Sequence, residues 1–333
     1  MKKQVFWGVD ISKNVLDVYI EKDGKELLNF QVKNSPSSIT MAFSHHMAQQ
    51  QIRWEECVFC MENTGIYGYH LLRYLHKNSE SVYVINALHL KRSMGLVRGK
   101  NDKIDAQRIA RFIAKNHQEL KSHDMPGEAI EQLRVLTSKR KQYVKILQGL
   151  KQSTGELKTF ENKKMVSVIT KAERLLIKNL DNSIKKINSE IAAIVAKNKE
   201  LAEIKKRICT VPGVGPVLST ALIITTNGFK RLNQAAALSC YAGVVPFDFS
   251  SGSSLYRKPK VSSMSDKTLK KLLHLAALSA IRLPGELREY YLRKVAEGKN
   301  KMLVLNAIRH KILLRVCAVM KNEKNYSPPL LLS

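Results

Sequence analysis

Apolar positions in the first part of the chain recur with two different periods. Between residues 4 and 33 they alternate in three runs, "QVFWGVDI", "VLDVYIE" and "ELLNFQVKN". A period of two marks strands with one buried face. "KDGK" separates the second run from the third, and its Asp-Gly pair is a hairpin signal, so the runs predict an antiparallel meander. "SPSSITMAFSHHMAQQQ" then carries Ser and Pro at a helix start. "CVFCMEN" reads as a buried strand, "GYHLLRYLHK" as a helix and "SVYVINAL" as another strand. A helix from about Asp102 to Lys115 closes the set. The order β-β-β-α-β-α-β-α predicts an α/β domain over residues 1–125, a mixed sheet with helices packed on it.

Beyond "SHDMPGEA" the spacing turns helical. Residues 126–205 are rich in Lys, Glu, Leu and Ile and carry one break, near "TFENKK". They predict a long antiparallel helical pair or coiled coil. A third, mostly helical region spans 206–325. It opens on "VPGVGPVLSTALIITTNG", a glycine-punctuated turn running into an apolar helix. The tail, 326–333, is expected to be loosely ordered.

Charge adds a partner to this picture. The 333 residues include 56 Lys and Arg against 28 Asp and Glu, a formal charge of +28, in a chain that is 44% hydrophobic. A chain with that much core-forming material is not a disordered basic tail, so the charge points to a polyanion, nucleic acid first. No apolar run approaches the roughly 20 residues of a membrane span. "MKKQVFWGVDIS" lacks the apolar stretch of a secretory signal. A cytoplasmic, nucleoid-associated protein of a bacterial or archaeal cell, with no membrane partner, is expected. Of five cysteines only Cys57 and Cys60 form a CxxC. With no second pair, neither a zinc site nor a disulfide framework is expected.

In so basic a chain the acids stand out. Asp10 lies among apolar residues in the first strand, where an unpaired carboxylate is costly. Glu62 ends the fourth strand, and Asp102 and Asp105 lie one turn apart at a helix start. Each has an ordinary alternative: a strand edge for Asp10, a loop contact for Glu62, and first-turn preference for the aspartate pair, worth about 0.3–1 kcal/mol each. Taken together, the topology can bring all four to one point, where they would repel one another unless cations neutralised them. Oxygen-only ligands suit Mg²⁺ or Mn²⁺. Two such ions about 3.5–4 Å apart stabilise both attack and departure at a phosphodiester. Asp17 is a weaker candidate.

Basic residues suited to nucleic acid surround these acids. Lys91, Arg92, Arg98 and Lys100 precede Asp102. Arg257, Lys258 and Lys260 flank Tyr256 in "LYRKPK". Gly213 and Gly215 in "VPGVGP" look like the turn of a helix-hairpin-helix element, whose backbone amides approach a phosphate; the alternative is an ordinary tight turn.

"WGVDISKNVLDVYI", "MENTGIYGYHLLRYL", "VYVINALHLKRSMG" and "GKNDKIDAQRIA" resemble the amino-terminal half of the insertion sequence 110 family of transposases, which includes the Piv-type DNA invertases. "VPGVGPVLSTALI", "LSCYAGVVPFDFSSGSS" and "LKKLLHLAALSA" resemble its carboxy-terminal half, in the same order. The resemblance implies an RNase H-like, RuvC-type domain with the acids Asp10, Glu62, Asp102 and Asp105. It implies a second, helical domain with a serine nucleophile in a Ser-Gly motif. Ser251 before Gly252 fits that motif best, with Ser250, Ser253 and Ser254 as alternatives. A structured bridge RNA that pairs with donor and target DNA is also implied. Because serine and acids lie on different domains, a composite site in a dimer or tetramer is expected. Two departures stand out: Asn101 replaces the family's usual Thr, and "SSMSDKTLKK" replaces a Ser-Lys-x-Gly-Asn-like stretch. The rival readings are a metal-dependent endonuclease or junction resolvase on the same fold, which needs no serine, and a non-catalytic nucleic-acid-binding protein, which needs no acids.

Overall fold

The structure is a computed structural model. It describes residues 4–93, 102–157, 159–160, 162–251 and 255–327, with backbone alone for 102–103, 248–251, 255–258 and 260. The chain divides into two compact units, Met1–Met125 and Pro126–Ser333.

The first unit is a five-stranded mixed sheet of order β3-β2-β1-β4-β5. The meander is β1 (Val5–Ile11), β2 (Val15–Lys22) and β3 (Lys25–Lys33), with Asp23 and Gly24 at positive φ in the turn that "KDGK" predicts. α1 (Pro36–Gln49) starts where Ser35 caps it and Pro36 opens its first turn. β4 (Cys57–Glu62), α2 (Tyr69–Asn78), β5 (Val82–Ile85), α3 (Ala87–Ser93) and α4 (Asp102–Asn116) follow. β4 returns parallel to β1, so the first and fourth strands are neighbours, as convergence of the acids requires.

Strand alternation separates two chemistries. Val5, Trp7, Val9 and Ile11 of β1 face a core shared with Phe43 of α1 and Leu71 and Leu75 of α2. On the opposite face Val58 and Cys60 of β4 and Ile85 of β5 pack on Ile109, Phe112 and Ile113 of α4. Cys57 and Cys60 are part of these cores, and burial pushes the Cys57 thiol up to about 12 and that of Cys60 higher still. Both are therefore inert protonated thiols.

The second unit opens with α5 (Glu128–Leu157) and α6 (Lys163–Lys197), packed against each other. The sequence predicts a helical pair whose second member runs to residue 205, but α6 ends before Asn198. That residue turns extended, and its side chain accepts from the Leu201 amide to start α7 (Lys199–Ile208). Asparagine serves as an N-cap because its short amide satisfies an otherwise orphan N–H. α8 (Pro216–Thr226), α9 (Ala235–Ala242), β6 (Pro246–Ser251), β7 (Leu255–Val261), α10 (Lys267–Ala280), α11 (Glu286–Ala296) and α12 (Lys301–Lys321) complete it. The inner ends of α5 and α6 share one core with α7–α12, through Ile130, Leu133, Ile191 and Val195.

Two local features differ from the sequence reading. Residues 246–261, read from sequence as serine-rich and basic loops, form an antiparallel pair, β6 with β7. Alternation is hard to see in "PFDFSS" because it is short and ends in two serines. The last described residues are not all loose: the Tyr326 amide donates to Thr210 Oγ1 at 2.8 Å, and Arg315 lies over the Tyr326 ring at 5.1 Å.

Candidate active site

Gly8 decides where α4 sits. A Cβ there would overlap the carbonyl oxygen of Ala106 and the backbone nitrogen of Ala110, and would lie 2.9 Å from Ala110 Cα. Glycine in a strand interior marks such a close approach. Gly8 pairs with Tyr19, which clusters with Ala106 and Ala110, and Gln107 Nε2 donates to the Tyr19 hydroxyl at 3.1 Å. Further along, Arg111 lies 3.8 Å from Glu21, the partner of Phe6 in the ladder. Rising numbers on α4 thus meet falling numbers on β1, so the helix runs back along the strand. Its first turn lies at the Asp10 end.

Asp10 is two residues beyond Gly8 and so on the same face of the sheet. The β1–β4 register runs to Val9 opposite Met61, which sets Asp10 beside Glu62 at the strands' C-terminal ends. Two separated strands and a helix start therefore meet at one edge. Asp105 accepts from Arg108 Nη1 at 2.7 Å, with about a quarter of its side chain exposed. The side chain of Asp102 lies outside the described residues, as do Arg98 and Lys100. Lys91 and Arg92 are exposed in the last turn of α3.

Asp17, directly opposite Asp10, is 7% exposed and accepts from Gln31 Nε2 at 2.7 Å. Like charges opposite one another in a ladder are destabilising. Asp10, Asp17 and Glu62 lie along one row of the sheet. Carboxylate oxygens suit a hard divalent cation in kind. Among the described residues no group of three or more His, Cys, Asp and Glu side chains closes around a point. Gly8, which sets the helix on the strand, is a positioning residue that the sequence reading did not single out; a glycine inside an apolar alternating run is the signal that marks it.

In the second unit, β6 ends at Ser251, paired in the backbone with Leu255; Ser250 pairs with Tyr256 and Phe249 with Arg257. The Ser251, Arg257, Lys258 and Lys260 side chains, and residues 252–254 whole, lie outside the described residues. Gly213 has φ +88°, and a Cβ on it would overlap the Ala276 carbonyl of α10 and meet Ala280 Cβ at 3.1 Å. Its positive φ and the close approach of α10 to this turn are structural reasons for glycine at 213. Gly215 is the extended N-cap of α8, before Pro216.

The comparisons with known proteins agree in direction. Residues 7–157 match the DEDD-type IS110 model, described as a transposase. Residues 205–292 match the model described as transposase IS116/IS110/IS902 family. The pilin gene-inverting protein of Moraxella lacunata is 24% identical over 97% of this chain and 98% of its own length. Its counterpart in Moraxella bovis is 23% identical over the same shares. A 44.8 kDa protein of insertion element IS116 from Streptomyces clavuligerus is 21% identical over 98% of this chain and 96% of its own. These matches place the chain in the class of transposases, enzymes that cut and rejoin DNA strands. The chain belongs to the IS110 family of transposases. Membership implies action on DNA and use of a divalent metal ion. Among the described residues no helix is long and apolar enough to cross a membrane.

Proposed function

We propose that the protein is a DNA recombinase of an insertion sequence that cuts and rejoins strands through Ser251, with Asp10, Glu62, Asp102 and Asp105 as ligands for Mg²⁺ or Mn²⁺. The first unit is read as an RNase H-like, RuvC-type domain, and a bridge RNA is proposed to select donor and target. The observation that carries the reading is the Gly8–Ala106 contact, which sets the start of α4 against the strand ends bearing Asp10 and Glu62. The full-length likeness to pilin gene-inverting proteins supports rearrangement of DNA rather than simple degradation.

A bound divalent cation supplies charge neutralisation at the phosphodiester and lowers the pKa of an attached nucleophile. The chain's own residues do the rest. The Ser251 oxygen forms a bond to phosphorus as the bond to the leaving deoxyribose oxygen breaks. The serine proton departs, and the leaving oxygen is protonated to a free hydroxyl. The phosphoserine keeps the bond energy, so a new strand's hydroxyl can reverse the step without ATP. Arg108 holds Asp105 until the ligand set closes, sparing the edge an uncompensated charge. Lys91, Arg92, Arg98 and Lys100 would hold a phosphate backbone beside the acids. Arg257, Lys258 and Lys260 would do the same beside the serine. Gly213 and Gly215 are proposed to flank a further backbone contact. A dimer or tetramer would let acids and serine meet across subunits, in the nucleoid of the cytoplasm.

The test is recombination on supercoiled DNA with the cognate RNA. Ser251→Ala is expected to abolish recombination and the covalent protein–DNA adduct, and Asp10→Asn and Asp105→Asn to abolish both. Full activity of Ser251→Ala would leave a metal-dependent nuclease, and full activity of the aspartate variants would remove the metal site.

A further inference from the structure

We propose that the first turn of α10, with Arg309 of α12 behind it, forms a phosphate-binding site that holds the backbone of a nucleic-acid strand at the root of the β6–β7 hairpin. It does not depend on Ser251 being the nucleophile.

Arg309 is 6% exposed, inside the core of the second unit. Its Nη2 donates to His274 Nδ1 at 2.7 Å, its Nη1 donates to Asn306 Oδ1 at 3.4 Å, and its buried Nε has no partner. No carboxylate pairs with it among the described residues, and burial pushes its pKa down. A buried cation without a counter-ion is a poor way to stabilise a core, because it gives up hydration with nothing in return. Such a group is explained when a ligand supplies the missing negative charge.

The neighbouring charges have the same sign. Lys267, Lys270 and His274 recur along one face of α10. Burial, then Arg309, then Lys267 push the Lys270 pKa down. Burial, then Arg309, hold His274 below the ordinary imidazole value. Since a guanidinium has no acceptor, His274 Nδ1 must accept, which leaves the ring proton on Nε2 as a spare donor. Lys141 of α5 adds a third lysine beside the neutral His274, its Nζ donating to Thr268 Oγ1 at 2.7 Å.

Placement on the helix is equally unusual. The first turn of α10 carries no acid beyond the cap. Lysines there oppose the helix dipole, which favours anions at that end. Asp266, the cap, accepts from the Thr268 and Leu269 amides and from the Tyr241 hydroxyl. Its oxygens are occupied within the turn rather than against Lys270. With Asp266 committed to those amides, Lys267 and Lys270 in front and Arg309 behind form a complement to an anion.

The root of the hairpin joins this cluster directly. Asn306 Nδ2 donates to the Val244 carbonyl at 2.7 Å, and β6 starts two residues later. Gly243, at φ +65°, lies against Ser265, just before α10. A strand held here would therefore be fixed relative to the hairpin. With +28 charges on the chain and several cations spread along one turn, a polyanion fits better than a single small anion.

The test uses full-length protein, a fluorescent duplex DNA and an RNA hairpin, each titrated across a salt series. Lys270→Gln and Arg309→Met are compared with wild type for affinity and melting temperature. Each is expected to weaken binding about tenfold and to flatten the log K against log salt slope by about one. Arg309→Met should melt no lower than wild type, because an unpaired buried charge has been replaced by an apolar side chain. A loss confined to one nucleic acid identifies which strand the site holds. Unchanged affinity and slope in both variants overturns the proposal. So does a defect in Arg309→Met alone that comes with a lowered melting temperature, since that is the signature of a structural arginine.

Discussion

The two units carry their chemistry on opposite kinds of support. In the first, Asp10 and Glu62 sit on adjacent parallel strands in the middle of a five-stranded sheet, with α4 laid over them. In the second, Ser251 ends one strand of a two-stranded ribbon. A two-stranded ribbon is marginal by itself, so its placement depends on what grips its root. The carboxylates need fixed mutual geometry, which a sheet centre supplies. If Ser251 is the nucleophile proposed above, it needs an anchored base more than a rigid shell. In both units the anchoring device is a glycine, Gly8 in one and Gly243 in the other, each admitting a neighbour where a Cβ would collide.

The strongest way to break that comparison is at Gly8. Gly8→Val places its side chain into the backbone of α4, which cannot yield as a flexible side chain would. Overpacking typically costs about 1–3 kcal/mol, and a backbone obstruction belongs at or above the top of that range. Urea denaturation should show a clear loss of stability. If α4 shifts instead, the loss of recombination should exceed the loss of stability. A variant that melts and recombines like wild type would show that α4 does not rest on β1 as described.

Metal binding sharpens the same contrast. Mn²⁺ should raise the melting temperature of wild type, and at about a hundredfold excess over Kd the expected gain is about 2.7 kcal/mol. Asp10→Asn should lose that gain, whereas Ser251→Ala should keep it. Equal gains in all three proteins would place the ion elsewhere.

The root of the hairpin comes next. Gly243→Ala must hold φ +65° and displace Ser265, and about 1–3 kcal/mol of destabilisation is expected in chemical denaturation. The same substitution at Gly24, also at positive φ but with open space around it, should cost only its backbone strain, about 1 kcal/mol. Equal effects at the two positions would mean that Ser265 gives way freely.

These experiments fall where the sequence was least informative. The meander and the order of elements in the first unit were readable because each rests on local signals: period-two alternation and an Asp-Gly turn. The route of α4 along β1 was not, since it depends on which backbone Gly8 admits, a contact across about a hundred positions of chain. Gly213 shows the converse. Its motif suggests a phosphate contact, but its positive φ and the close approach of α10 are structural reasons for the glycine. Arg309 escaped notice because one arginine in an apolar helix reads as a surface residue. Only packing reveals that it is enclosed without an acid. The β6–β7 pairing was hidden because a run of serines around a glycine reads as a loop.

The smallest expected effect is a pH dependence that both units share. In the first, burial lowers the pKa of His46 and of His76, with Gln49 in part opposing it for His46 and Asp124 for His76. In the second, burial and then a neighbouring cation lower those of His274 and His310. A histidine whose folded pKa lies below its unfolded value of about 6.5 binds fewer protons when folded. Its contribution is present in full above about pH 6.5 and is lost as pH falls through the folded values. His76 adds a structural reason: its Nε2 lies 3.0 Å from His123 Nδ1, a bond that needs one nitrogen to accept and fails when both rings are protonated. Melting temperature should therefore fall between pH 7.5 and pH 5.5. His76→Phe should flatten the part of that fall belonging to the first unit, while His310→Phe should leave that part intact and flatten the second unit's. A melting temperature that rises on acidification would show that these rings are held as cations, and the assignment of burial as the dominant cause would be wrong.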